Sequence, residues 1–171
     1  MEAKADWTRQ VVILGLGSTV TMDLGGEAIR RATGVPPLDY RLLGRWIGHM
    51  GHGQFTHTNI GASEPVPGEK ARGTAAHYAI GTSLAGTLLL WRPDYCQRPT
   101  FLAAMTIGLS STVFPFFLMQ PAFGLGIAAS KAPQPALARL RSARAHAIYG
   151  IGLFTTGMVL SRSTRCRALR Q

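Results

Sequence analysis

From Thr100 to Ser130 the chain carries no charged side chain, although Arg98 precedes the stretch and Lys131 follows it. Eighteen or more apolar residues without charge read as a transmembrane helix, because a buried charge would be too costly in hydrocarbon. A span needs about 20 residues, so this stretch is longer than a bilayer requires. It also contains Pro115 and a Gln120-Pro121 pair. Proline removes a backbone donor and breaks helical bonding, so the expectation is a kinked span over residues 100–130.

The rest of the composition agrees. Of 171 residues, 15% are charged, against about 25% in a soluble domain. The net charge of +10 raises nucleic-acid binding as an alternative, which would need a basic face or block. Here the Arg and Lys residues flank apolar runs, as membrane insertion requires. The expected partner is a lipid bilayer, with no nucleic acid. Mean hydropathy is only +0.12 because polar loops and basic ends dilute the spans. Cys96 and Cys166 form no metal or redox spacing. Glu2 and Asp6 offset Lys4 and Arg9, so the N-terminal apolar run is not expected to be a cleaved signal.

Three more spans are expected, at about residues 11–29, 73–91 and 145–161, making an all-α, integral membrane four-helix bundle in a single domain. The expected setting is the bacterial inner membrane, multi-pass. A polar connection occupies residues 32–72, and an Arg-rich tail 162–171. Within that connection, Leu42, Leu43, Trp46, Ile47 and Met50 recur at helical spacing, with Arg41, Arg45 and His49 on the other side. Tyr40–Met50 is therefore expected to be an amphipathic helix lying at the membrane interface. Basic residues divide ten against eight between the two membrane faces, which leaves orientation open.

The halves look like copies. Gly15-Leu16-Gly17-Ser18-Thr19-Val20 matches Gly108-Leu109-Ser110-Ser111-Thr112-Val113 in five of six positions. Ala76-His77 with Gly81 matches Ala145-His146 with Gly150. Two tandem two-helix repeats follow, in which Gln120 stands near the place of Asp23.

Ionisable groups inside spans are costly and mark functional candidates. At 1.5 Å per residue, Asp23 lies ~10 Å in from Arg30 and His77 ~8 Å in from Arg72. Gln120 and His146 are measured from the same membrane side, so Asp23, His77, Gln120 and His146 are expected to line a one-sided polar pocket. An Asp beside a His can share a proton, or simply fix a bundle by pairing. His49, His52 and His57 fit no zinc spacing and read as surface or interfacial. No nucleophile elbow or phosphate-binding glycine loop is present, so neither metal nor cofactor is expected and an enzyme is the lesser reading.

Several strings together resemble a known family: Gly44-Arg45-Trp46-Ile47-Gly48-His49, Gly68-Glu69, His77-Tyr78-Ala79-Ile80-Gly81, Met119-Gln120-Pro121 and Ala138-Arg139-Leu140-Arg141-Ser142. They are similar to the bacterial proteins of domain of unknown function family 2938 over nearly the whole chain. The resemblance implies a small multi-span bacterial membrane protein and supplies no mechanism. Arg45, His49, Glu69 and Tyr78 within these strings are secondary site candidates. Three functions stay open: a small transporter or channel-like protein; an accessory or assembly factor binding a protein partner through residues 32–72; and a metal-dependent membrane enzyme. Besides lipid, the expected partner is another membrane protein or a second copy in a homo-oligomer.

Overall fold

The computed structural model describes residues 2–168, with side chains over 6–162, and contains helices and no strand among them. The helices are α1 (Glu2–Thr33), α2 (Tyr40–Met50), α3 (Glu69–Trp91), α4 (Phe101–Ser110), α5 (Gln120–Ala122) and α6 (Pro135–Ala168). Gly34, at φ +72°, closes α1 by donating its N–H to the Arg30 carbonyl at 2.8 Å. Such left-handed termini favour glycine. Asp39 then caps α2 by accepting the Arg41 N–H at 3.0 Å.

α1 packs against both α3 and α6, and α4 packs against α6. Each crossing is made where one side chain is a hydrogen atom. Gly15 faces Thr82 and Gly81 faces Thr19 between α1 and α3. Gly152 lies on Ser18 between α6 and α1, and Gly108 meets Gly150 between α4 and α6. These pairings run antiparallel throughout, and small residues at such crossings let helix backbones approach.

Two helical stretches are long and apolar enough to cross a membrane, Asp6–Thr33 and Phe101–Ala122. Among the described residues, α3 and α6 do not reach that hydropathy. Both are rich in Gly, Ala, Ser and Thr, which pack well but add little hydropathy, and α6 also opens with Arg139, Arg141 and Arg144.

The uncharged stretch is broken, as its prolines require, and its long helical part ends at Ala122, with only a 3₁₀ turn at Ile127–Ala129 before Ser130. α4 stops at Ser110, and a wider π turn covers Pro115–Met119, where the Gln120 N–H reaches the Pro115 carbonyl. Pro115 and Pro121 cannot donate, so the ordinary ladder fails twice. Beyond Ala122 the chain turns through Gly124 (φ +88°) and Gly126 (φ +72°), then through Ala128 and Ala129 at φ +48° and +56°. Gly124 sits against the His57 and Thr58 carbonyls, where a Cβ would collide.

The two long connections meet at one end. The His57 N–H donates to the Ala122 carbonyl at 2.8 Å, and the Ile60 N–H to the Phe123 carbonyl at 3.1 Å. Leu43, Trp46, Ile60, Ala122 and Phe123 form a small apolar cap there. The main core lies towards the short turn at 92–100, where Leu14, Leu88, Leu89, Tyr95, Cys96 and Leu153 are each at most 1% exposed.

α2 forms over the expected residues, but its faces are not disposed as its amphipathic pattern suggests. Arg45 is buried, not on an outward polar face. The reason is α3: Gly44 sits on the Glu69 carbonyl and Gly73 on the Tyr40 carbonyl, which brings the Arg45 side chain between the two helices.

Candidate functional site

Asp23 and His77 meet. They face each other across the α1–α3 crossing, one turn beyond the Thr19–Gly81 contact, so small residues beneath them set the approach. His77 Nε2 lies 3.1 Å from Asp23 Oδ1. Two phenols complete the shell: Tyr40 donates to Oδ1 at 2.6 Å and Tyr78 to Oδ2 at 2.9 Å. Tyr40 also stacks on His77, with ring centroids 4.1 Å apart. With Nε2 protonated, all three neighbours donate to the carboxylate, two to Oδ1 and one to Oδ2. The Tyr40 phenol is pushed up, chiefly by burial and then by Asp23 itself, so it stays a donor.

His146 and Gln120 do not join this shell. His146 Nδ1 lies 2.7 Å from Ser111 Oγ, and that hydroxyl also donates to the Gly108 carbonyl at 2.6 Å. A hydroxyl has one hydrogen, so with it on Gly108 the imidazole must carry its own proton on Nδ1. Gln120 donates weakly to Ser142 Oγ at 3.3 Å, and its buried Oε1 has no partner among the described residues. The four expected residues thus form three pairs rather than one cluster.

The secondary candidates sort in the same way. Tyr78 belongs to the Asp23 shell. Arg45 and Glu69 form a two-pronged ion pair at 2.8 and 3.1 Å. Arg45 Nη1 also donates to the carbonyls of Ile60, Gly61 and Ser63. One guanidinium thereby ties α2, the 3₁₀ turn Ile60–Ala62 and the start of α3 together. Arg45 holds the Glu69 carboxyl below its usual range. His49 pairs with His57 at 2.7 Å, and His57 is only 7% exposed, so that histidine is not a surface residue. His52 is exposed. Among the described residues no three His, Cys, Asp or Glu side chains gather as a metal site would need.

Tyr40, Ser111 and Ser142 are the partners that sequence reasoning missed. Tyr40 opens α2 at the i−4 position from Gly44, and the Gly44–Gly73 contact carries its ring to His77; only the spacing of those glycines hints at it.

A family model described as a protein of unknown function, DUF2938, matches residues 12–160. The chain belongs to this family. The match begins in α1 and ends in α6, so it contains every residue of the Asp23 shell and the Arg45 knot. No curated protein and no solved structure matches the chain.

Proposed function

We propose that this protein is a small transporter or channel-like protein of the bacterial inner membrane, with four spans in two tandem two-helix units and a polar pocket open toward one side. The observation that carries the reading is Asp23, a carboxylate in the apolar helix Asp6–Thr33 that holds three donors from two other helices. The three donors fill three of the carboxylate's roughly four lone-pair sites, two on Oδ1 and one on Oδ2, so Oδ2 keeps one for an entering proton or cation.

The membrane setting is supported by exposure. Only 28% and 22% of the two most apolar windows are buried, whereas a soluble core helix would be mostly covered. Val20, Leu24, Ile80, Leu90, Leu102, Phe117, Ile151 and Val159 all face outward, so α3 and α6 carry apolar surface as well. The duplication is supported by a glycine crossing in each unit, Gly15 on Thr82 and Gly108 on Gly150. The opposite half of the molecule is closed by Leu14, Leu88, Leu89 and Leu153, as a one-sided pocket requires. An accessory role through residues 32–72 is disfavoured, because α2 turns Leu43, Arg45 and Trp46 inward instead of offering them to a partner.

The test is flux in vesicles containing wild type or Asp23→Asn. The variant should lose proton- or cation-dependent flux while retaining its fold. Identical flux for both proteins across a broad solute screen would overturn the reading.

A further inference from the structure

Leu38, Asp39, Tyr40, Arg41, Lys70 and Thr74 line an open hollow of about 240 Å³ between α2 and α3. It is smaller than the ~300 Å³ at which drug-sized sites begin, so its occupant is a small group. Lys70, Thr74 and Tyr78 follow one face of α3 at four-residue spacing, which leads from the hollow to the Asp23 shell. Tyr40 is the wall between them: it lines the hollow, and its hydroxyl reaches Asp23.

The donors and acceptors of the hollow are unequal. Asp39 is its one carboxylate, and Arg41 already occupies it: Oδ1 accepts from the Arg41 N–H and Nε, and Oδ2 from Nε and Nη2. Arg41 holds the Asp39 carboxyl below its usual range, so that charge stays paired. Glu69, the next acid along α3, is committed to Arg45 and to the Val66 N–H. Arg41, Lys70 and Thr74 line the hollow beside Asp39, and their two positive charges against its one negative leave one positive charge in excess. The first turn of α3, where Lys70 sits, adds the positive end of a helix dipole.

We propose that this hollow binds a phosphate-bearing anion, either free phosphate or a phospholipid headgroup, through Lys70, Arg41 and Thr74. Donor-bearing side chains on three sides of a small space suit a tetrahedral oxyanion. The transport reading is needed only for treating the hollow as the mouth of the Asp23 site; binding stands without it. Tyr40 then touches both the anion site and the carboxylate.

The test uses the full chain in phosphatidylcholine nanodiscs, followed by thermal unfolding. In one arm inorganic phosphate is titrated against chloride at matched ionic strength. In the other, phosphatidylglycerol replaces part of the phosphatidylcholine, and retained lipid is read by native mass spectrometry. Stabilisation in the first arm identifies a free anion, and retention in the second identifies a headgroup. Lys70→Gln should weaken the responding arm about fivefold, as expected for losing one exposed charge pair, with unfolding in plain phosphatidylcholine unchanged. Thr74→Val gives a second reading if Lys70→Gln does not fold. Silence in both arms, a chloride effect equal to that of phosphate, or variants that bind like wild type would overturn the proposal. Binding is measured without flux, so an Asp23→Asn protein that transports normally refutes the transport reading and leaves this one standing.

Discussion

Replacing Gly44 by alanine asks how strictly α2 is seated. A Cβ at Gly44 would run into the Glu69 carbonyl and lie 2.7 Å from the Gly73 nitrogen. Both are backbone atoms of α3, so no side chain can rotate away and the helices must separate. Overpacking costs about 1–3 kcal/mol, and the absence of any yielding atom puts this site near 3 kcal/mol. For a chain of this size 1 kcal/mol shifts the midpoint about 2–4 °C, so Gly44→Ala should unfold roughly 6–12 °C early. Gly48→Ala is the control on the same helix: its Cβ meets the ends of Val66 and Arg72 side chains at 2.8 and 2.9 Å, which can move. Thermal unfolding in detergent, read by circular dichroism, measures both. Because α2 carries Tyr40, the Gly44 variant should also lose the phenol from Asp23. Equal midpoints for the two variants, or a Gly44→Ala protein as stable as wild type, would refute the claim that backbone contact seats α2.

Tyr40→Phe removes a hydrogen bond to a half-buried carboxylate and should cost about 1.5 kcal/mol; a midpoint unchanged in the same unfolding assay would mean that bond contributes nothing. Glu69 has its folded pKa lowered by Arg45, so the pair's stabilisation is present above the unfolded value of about 4.3 and is lost as pH falls through the folded value. An acid titration followed by Trp fluorescence should therefore show a transition below pH ~4 that Glu69→Gln lacks, and identical curves would exclude it. Leu109→Arg, at an exposed apolar position of the Phe101–Ala122 stretch, should impair membrane insertion by about 2.5–3.5 kcal/mol. Insertion as efficient as wild type would contradict a lipid-facing helix.

Periodicity and charge spacing carried the helices well, since apolar runs and proline positions act locally. Asp23 and His77 meet as their similar distances from Arg30 and Arg72 allow, because that spacing needs only the helical rise and a common starting side. What spacing could not reveal was the third dimension. Arg45 has the sequence position of a solvent-facing residue, and only the Gly44–Gly73 contact turns it inward. Gln120 looked like the counterpart of Asp23, yet the π turn at Pro115–Met119 changes the rotation of everything after it, so His146 pairs with Ser111 instead. His57 lies in a loop without periodicity; its burial depends on a backbone bond to Ala122, 65 residues away in the chain.

The short turn at 92–100 has a practical use. Cys96 is buried there as a free thiol, and burial, with some help from Asp6, pushes it up to about 11. A thiol that is both covered and protonated does not react with maleimide, because the thiolate is the nucleophile. In a Cys166→Ser background, Cys96 is thus a native, silent reporter at the closed end of the molecule. On the proposed transport function, labelling that begins when a solute is supplied to the other side would time the opening of that end.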